Sequence, residues 1–203
     1  MMRQLALGLS PPPRPTLDNF VPGANAELVA RLRELVSGNS VESIVYLWGE
    51  PGSGKSHLLR ACARDGLHVA DDVQALDEEP QIALFNRINE ARQSGGAVLA
   101  AGNAPPARLP LREDLRSRLG WGLVYQVKPL TDAERAVFLG AEAARRGMHL
   151  ADEVIWYLLA HVRRDLPSLM AILDELDRAS LERQRHITLP LVREALARKL
   201  SET

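Results

Sequence analysis

GEPGSGKS, residues 49–56, carries the strongest chemical pattern in this chain of 203 residues. The fixed positions of the spacing G-x-x-x-x-G-K-[ST] are all matched, by Gly49, Gly54, Lys55 and Ser56. In such a loop the glycines let backbone N–H groups converge on phosphate oxygens, the lysine neutralises the β- and γ-phosphates, and the serine hydroxyl binds Mg²⁺. The pattern predicts a nucleotide site, and a glycine-rich turn that never meets a nucleotide is the alternative.

The flanking residues give this loop the setting that phosphate binding requires. The run IVYLW at residues 44–48 is apolar and rich in β-formers, and residues 56–64 have the pattern of a helix. A strand, loop and helix in that order place the loop at a helix N-terminus, where the helix dipole favours an anion. We therefore expect the same phosphate site to be lined also by Glu50, Pro51, Gly52, Ser53 and His57.

Further short apolar runs predict the rest of a sheet. They lie at residues 67–70, 97–101 and 123–127, between helical or turn segments. Short apolar runs in this setting are typical of buried parallel strands. One helix between them is expected near Pro80, a residue type that suits the first helical turn. Residues 1–128 therefore predict an α/β fold, with a short parallel sheet flanked by helices.

From Thr131 onward the pattern is helical. Thr131 and Glu134 form a capping box, and Gly147 stands where the first helix would end. Three more helices are predicted, at residues 152–163, 167–183 and 190–200. The expected division of the chain is an N-terminal peptide and Pro-rich linker, an α/β domain and a small all-helical domain, at residues 1–15, 16–129 and 130–203.

Polar residues follow two of the predicted strands. In HVADD, residues 68–72, Asp71 could hold Mg²⁺ together with Ser56, and Asp72 could polarise an attacking water. Without the phosphate loop, the acidic pair would indicate only an acidic turn. Asn103 follows the next strand and could orient water or the γ-phosphate, although a turn-forming asparagine is the alternative.

Composition argues against several classes of protein. The chain has 25 basic and 26 acidic residues, so nothing in the composition indicates the basic face that sequence-independent DNA binding needs. The single Cys62 excludes an intrachain disulfide and has the setting of a buried apolar residue. No apolar run approaches membrane-spanning length, and the N-terminal run lacks the pattern of a signal peptide. We expect a cytoplasmic protein with no membrane partner.

Four stretches together resemble AAA+ ATPases of the DnaA lineage and, within it, the Hda family of DnaA regulatory inactivators. They are TLDNFVPGANAEL, GEPGSGKSHLL, SRLGWGL and LDELDRASLERQRHITLPLVREAL, at residues 16–28, 49–59, 117–123 and 173–196. The resemblance implies a AAA+ P-loop domain followed by a helical lid, with bound ADP or ATP and Mg²⁺. It also implies a segment that helps to enclose the adenine, formed by Asn19, Phe20 and Val21.

The third stretch resembles the family segment whose arginine points into a neighbouring subunit. The resemblance assigns this role to Arg118, as an arginine finger acting in trans on ATP held by the initiator DnaA. A guanidinium so placed stabilises the charge that develops during phosphoryl transfer. The alternative is that Arg118, like Arg112 or Arg116, simply covers a helix face. A homo-oligomer is a further partner that the resemblance allows.

A fifth stretch, QLALGL at residues 4–9, resembles the hexapeptide that binds the sliding clamp (the β subunit of DNA polymerase). Its side chains would fill pockets on the clamp, and the residues concerned are Gln4, Leu5, Leu7 and Leu9. The following SPPPRP would keep the peptide extended. The alternative is a terminal tail without this partner. On the clamp interpretation the chain meets DNA indirectly, and its action on DnaA would limit re-initiation of chromosome replication.

The chain departs from the family pattern in two places. Between Lys55 and Asp71 there is room for one helix, where the family has an additional edge strand and helix. Either the sheet is shortened or the strand before Asp71 is assigned wrongly. Pro167 stands where the lid arginine of the family would fall, and Arg164 is the nearest substitute. We therefore expect weak or absent ATP hydrolysis by the chain itself, and two alternatives stay open: an autonomous ATPase of helicase-loader type and a nucleotide-stabilised DNA-binding adaptor.

Overall fold

The structure is a computed structural model that describes residues 14–183 and 187–201. The predicted clamp-binding residues Gln4, Leu5, Leu7 and Leu9 lie outside the described residues. Within the described ranges, none of the helices has both the length and the apolar character needed to cross a membrane.

In the described part of the chain, four strands form one parallel sheet in the order β2-β3-β1-β4. The strands are β1 (Ile44–Trp48), β2 (Leu67–Ala70), β3 (Ala97–Gly102) and β4 (Leu123–Gln126). Tyr46 of β1 pairs in register with Ala100 of β3 and Val124 of β4. All four strands lie where the apolar runs predicted them, because short runs bounded by turns are the usual pattern of buried parallel strands.

The edge strand β2 precedes Asp71 and Asp72, and it pairs with β3 alone. The inner strands β3 and β1 are each paired on both sides. A sheet that has lost an outer strand would have this arrangement, since removing an edge strand leaves the inner pairs intact. The edge position also explains His68, a polar residue in an otherwise apolar run, because its side chain is exposed there.

Helices cover both faces of the sheet. One face carries α1 (Ala26–Ser37) and α2 (Lys55–Cys62), and the other carries α3 (Glu78–Ser94) and α4 (Glu113–Leu119). Alternate residues of β1 serve the two cores, since successive strand residues point to opposite faces. Val45 and Leu47 pack with α1 and α2, whereas Ile44 and Tyr46 pack with α3 and α4. Cys62 is buried at the end of α2, and burial raises the pKa of its thiol to about 11.

The C-terminal helices form a third core of their own. They are α5 (Asp132–Arg145), α6 (Asp152–His161), α7 (Leu166–Arg183) and α8 (Leu189–Ser201). The predicted capping box begins α5: the Glu134 N–H donates to Thr131 Oγ1 at 3.2 Å, and the Thr131 N–H donates to Glu134 Oε2 at 2.7 Å. The hydrogen bond from the Thr131 backbone lowers the pKa of Glu134. Gly147, with φ 76°, follows the end of this helix, as the sequence predicted.

Asn25 connects the segment before α1 to the chain that leads into the helical domain. Its side chain is 4% exposed. Asn25 Nδ2 donates to the Lys128 carbonyl at 2.8 Å, and the Lys128 N–H donates to Asn25 Oδ1 at 2.8 Å. Gly23 lies against Leu130 at the same junction, since a Cβ built on Gly23 would lie 2.8 Å from Leu130 Cδ2. These contacts hold the predicted adenine-side segment close to the start of the helical domain.

Candidate nucleotide-binding site

The phosphate loop joins the carboxyl end of β1 to the N-terminus of α2. Gly49 lies too close to its neighbours for a side chain, since a Cβ there would lie 2.5 Å from the Val127 carbonyl oxygen. Gly52 and Gly54 have φ angles of 79° and 102°, values that side chains disfavour. The glycines therefore permit a loop that curls tightly over the start of α2, as the sequence pattern predicted.

Lys55 extends back over the loop from the first turn of α2. Its Nζ donates to the carbonyl oxygens of Gly49 at 2.8 Å and Glu50 at 3.0 Å, and the residue is 8% exposed. Burial lowers the pKa of Lys55, while the charges of Asp72 and Asp71 act in the opposite direction. A polyphosphate in the loop would offer the ammonium stronger, charged acceptors than these two carbonyls.

The residues present fit Mg²⁺ only if phosphate oxygens share its coordination. Ser56 lies half-buried next to Lys55, and the exposed Asp71 and Asp72 follow β2. In residues 14–183 and 187–201, no group of three or more His, Cys, Asp or Glu side chains could hold a metal by itself. Mg²⁺ is commonly bound through one or two carboxylates together with substrate phosphates. Ser56 and Asp71 would then hold the ion beside the loop.

Asp72 has an unusual backbone conformation. Its φ of 47° makes it the one non-glycine residue with positive φ among those that the structure describes. Such a conformation costs on the order of 1–3 kcal/mol and persists where surrounding contacts impose it. Here the Asp72 N–H donates to Asp71 Oδ1 at 2.9 Å, and the Gln74 Nε2 donates to Asp72 Oδ1 at 3.0 Å. The strain therefore coincides with the predicted catalytic carboxylate.

Gln74 is the residue that sequence analysis missed. It lies in the 3-10 turn Val73–Ala75, and besides Asp72 it binds Asn103, whose N–H donates to Gln74 Oε1 at 3.1 Å. One amide thus joins the acids after β2 to the predicted γ-phosphate residue after β3. A glutamine two positions after an acidic pair is too common to indicate this link in a sequence, because it depends on the two strand ends lying side by side.

We expect Gln74→Ala to weaken the Mg²⁺-dependent part of nucleotide binding by about three- to tenfold, which corresponds to one lost hydrogen bond of about 1 kcal/mol. Binding of ADP without Mg²⁺ should change little, because Gln74 acts through Asp72 and Asp71. Titration of a fluorescent ADP analogue with and without Mg²⁺ measures both. Gln93→Ala, on an exposed position of α3, is the matched control, and equal losses with and without Mg²⁺ would contradict the expected role.

The predicted adenine-side segment lies against the phosphate loop. Phe20 covers Gly54 so closely that a Cβ on Gly54 would lie 2.7 Å from Phe20 Cε2. The Phe20 and His57 rings are 5.6 Å apart, and His57 Nε2 lies 3.0 Å from the Thr16 carbonyl oxygen. Asn19 is held within the segment, where its N–H donates to Thr16 Oγ1 at 3.1 Å. The structure thus brings Phe20 and His57 to the loop, and Val21 follows half-buried.

The helical domain reaches the phosphate loop with an acid. A Cβ built on Gly52 would lie 3.5 Å from the Asp165 Cβ. Burial raises the pKa of Asp165, but hydrogen bonds from Ser168 and the charge of Arg163 outweigh it, so the pKa is lowered overall. Pro167 is exposed in the first turn of α7, and Arg164 Nη1 lies 3.6 Å from Asp132 Oδ2. Among the described residues, position 167 therefore supplies no guanidinium, and Arg163 pairs with Asp165 at 3.3 Å.

Arg118 lies far from this site. It stands in the last turn of α4, with its Cζ 3.5 Å from the ring centre of Trp121. Trp121 and Gly122 come just before β4, and Leu123 pairs with Val45 near the start of β1. The phosphate loop follows the other end of β1, and the five residues of β1 separate the two ends by roughly 13 Å. The structure does not bring Arg118 together with Lys55.

Comparison with known sequences relates the chain to one protein family and to a bacterial relative. A family model for the Hda lid domain matches residues 132–196. An uncharacterized protein of Haemophilus influenzae (strain ATCC 51907 / DSM 11121 / KW20 / Rd) is 33% identical over 230 residues, which covers 97% of this chain and 99% of the relative. Because this alignment is longer than the 203 residues of the chain, the relative contains residues that the chain lacks.

Comparison with solved structures gives the same architecture. Domain III of the Thermotoga maritima replication initiation protein DnaA is similar with a TM-score of 0.75 and 20% identity, over 91% of this chain and 96% of that one. AMPPCP-bound DnaA from Aquifex aeolicus is similar with a TM-score of 0.72 and 21% identity, over 84% of this chain and 67% of that one. At these identities the similarity shows the fold. The predicted fold class, a AAA+ P-loop domain followed by a helical lid, is confirmed.

Proposed function

This chain belongs to the Hda/DnaA-related AAA+ proteins, and from that membership we propose that it regulates the initiation of DNA replication by promoting hydrolysis of ATP bound to the initiator DnaA. It binds ADP or ATP with Mg²⁺ at the phosphate loop and docks on the DNA-loaded sliding clamp through residues 4–9. The nucleotide in its own loop serves mainly to hold the protein in its active shape, and Arg118 acts on the ATP of the partner.

The position of Arg118 is the observation that carries this proposal. Its guanidinium lies beside Trp121, near the amino ends of the strands, whereas Lys55 lies at their carboxyl ends. A side chain cannot span that separation to serve the nucleotide of its own molecule. An arginine finger placed there is useful only to a nucleotide held by another protein, which supports action in trans.

The lid also supports a role in which this chain binds nucleotide while the partner hydrolyses ATP. The lid residue next to Gly52 is the acid Asp165, and Pro167 stands where the lid arginine of the family would fall. Without an arginine at position 167, closure of the lid on ATP gains no guanidinium contact to the γ-phosphate there, so this lid favours ADP. Arg164 is turned toward Asp132, at 3.6 Å. Hydrolysis by the chain itself is accordingly weak or absent.

A second candidate, an autonomous ATPase, is favoured by one observation. Gln74 joins Asp72 to Asn103 beside Lys55, an arrangement that would position a water and a γ-phosphate for hydrolysis. Steady ATP turnover by the purified protein alone, abolished by Lys55→Ala, would replace the first proposal with this one.

The test of the proposal is the single-turnover hydrolysis of ATP preloaded on purified DnaA, with the clamp loaded on DNA, in the presence and absence of this protein. We expect an increase that requires the loaded clamp. Gln4→Ala combined with Leu7→Ala should reduce the increase at least about tenfold at limiting protein concentration, since two anchors of a short peptide are lost. Ser10→Ala is the matched control. No increase with folded, clamp-bound protein rejects the proposal.

A further inference from the structure

We propose that Trp121 is a positioning residue for Arg118: its indole ring holds the guanidinium in place while leaving the terminal Nη donors free for the phosphate oxygens of the partner's ATP. This inference rests on the proposed function. It concerns a cluster of four residues on α3, on α4 and in the turn before β4, which we call the indole cluster and which consists of Phe85, Arg92, Arg118 and Trp121.

Two aromatic rings lie against the Arg118 guanidinium. Its Cζ lies 3.5 Å from the ring centre of Trp121 and 5.3 Å from that of Phe85. Among the described residues, its guanidinium forms no hydrogen bond or ion pair, and its buried Nε has no partner. A cation over an aromatic face is attracted by the ring quadrupole, and the contact uses none of the N–H donors. The guanidinium is thus fixed in direction but unsatisfied in hydrogen bonding.

Two other arginines of the chain show the alternative, in which carboxylates bind the guanidinium. Arg112 directly precedes the same helix α4 and donates two hydrogen bonds to Asp114, of 2.9 and 3.2 Å. Arg146 of the lid binds Glu142 at 2.8 Å and also Asp174. A carboxylate near Arg118 would occupy the same donors that a phosphate needs. An aromatic neighbour avoids that competition, which is a reason for a tryptophan at this position.

The charge of the indole cluster fits a phosphate-bearing partner. Arg92 Cζ lies 4.7 Å from the same Trp121 ring, so two guanidinium groups share one indole. Neither forms an ion pair with an acid among the described residues. The chain as a whole has a net charge of −1, so this positive cluster is a local feature of its surface. Two guanidinium groups without an ion pair beside a half-exposed ring attract the anionic groups around a bound triphosphate.

The ring is accessible to such a partner. Trp121 is 45% exposed, and a cleft of about 420 Å³ opens beside it, lined also by Glu42 and Arg92. Tryptophan and arginine are the residue types that most often carry binding energy in protein interfaces. Because both guanidinium groups already lie over the ring, stacking of a nucleic acid base on it is disfavoured, and a protein partner fits better.

The test separates positioning from docking with two variants, Trp121→Phe and Trp121→Leu. Stimulated hydrolysis of ATP on DnaA is measured at increasing concentrations of each variant, which gives a maximal rate and a half-saturating concentration. We expect Trp121→Leu to lower the maximal rate about tenfold, because the finger loses its fixed direction. Trp121→Phe, which keeps an aromatic face, should stay within about threefold of the unmodified protein. The half-saturating concentration should change less than about threefold in both.

The outcomes distinguish this inference from the function on which it rests. Full stimulation by Arg118→Ala would reject the finger itself. If Arg118→Ala abolishes stimulation while Trp121→Leu keeps the full maximal rate, the positioning role alone is overturned. A raised half-saturating concentration with an unchanged maximal rate in Trp121→Leu would also overturn it, because the ring would then act as a contact for the partner. Near-UV circular dichroism and thermal unfolding show that each variant is folded.

Discussion

Arg118→Ala is expected to return ATP hydrolysis on the initiator to its basal rate. In other proteins, loss of an arginine finger lowers the rate of hydrolysis by about 10³-fold or more. The physical reason is the charge that develops on the transferred phosphoryl group, which a guanidinium stabilises more in the transition state than in the ground state. Arg92, the other guanidinium at this ring, belongs to α3 and lies farther from the ring centre, at 4.7 Å, so we do not expect it to replace Arg118.

The measurement is single-turnover hydrolysis of ATP preloaded on DnaA, with binding of the variant to clamp and initiator measured separately. Binding should change little, because the ring contacts of the Arg118 guanidinium, to Trp121 and Phe85, are within its own chain, and such a contact contributes about 0.5–2 kcal/mol. Arg118→Lys keeps the charge but lacks the planar fork, so we expect it to restore only part of the rate.

Arg112→Ala and Arg116→Ala are the matched controls at the start and in the middle of the same helical segment. Both should stimulate as the unmodified protein does. If either control loses as much activity as Arg118→Ala, the effect comes from the charge of the α4 surface and not from a delivered finger. An Arg118→Ala protein that stimulates fully would leave Arg118 as a residue that merely covers the helix.

Lys55→Ala is expected to weaken the binding of ADP and ATP by at least about 100-fold, which corresponds to about 2.7 kcal/mol. Two effects add. The variant loses the positive charge that neutralises the phosphates, and it leaves the carbonyl oxygens of Gly49 and Glu50 without the donor that they share in the free protein. The loop should therefore lose affinity for phosphate and part of its own order.

Calorimetric titration with ADP and with ATP measures this loss directly, and thermal unfolding gives an independent reading because bound nucleotide stabilises only the folded state. Lys128→Ala, at an exposed position, is the matched control and should bind as the unmodified protein does. Binding by Lys55→Ala within about threefold of the unmodified protein would mean that residues 49–56 form a glycine-rich turn without a nucleotide.

Most of the fold could be predicted from the sequence. The phosphate loop, the four strands and the helical lid all lie where periodicity and spacing placed them, and the family is confirmed. Helix ends differed by a residue or two: α3 begins at Glu78 instead of Pro80, because proline is tolerated within the first turn. The assigned roles of Lys55, Asp71 and Arg118 stay predictions, for the reason that each role depends on a bound group or a partner.

Local patterns were readable because their causes are local. The glycines at residues 49–54 are needed for the shape of their own loop, and the continuous apolar run of β1 follows from the burial of both faces of that strand. By contrast, the link from Gln74 to Asn103 joins residues 29 positions apart. It exists only because β2 and β3 end side by side, and this pairing could not be predicted from a short stretch of sequence.

The same distinction applies to the two arginine questions. That Pro167 cannot offer a guanidinium followed from its residue type, but that Asp165 stands beside Gly52 depended on how the lid folds back onto the loop. Arg118 was identifiable from its stretch, whereas its separation from Lys55 and its place against Trp121 required the parallel sheet. Residue chemistry and spacing act within a few positions, and the meeting of distant segments is decided by packing of the whole chain.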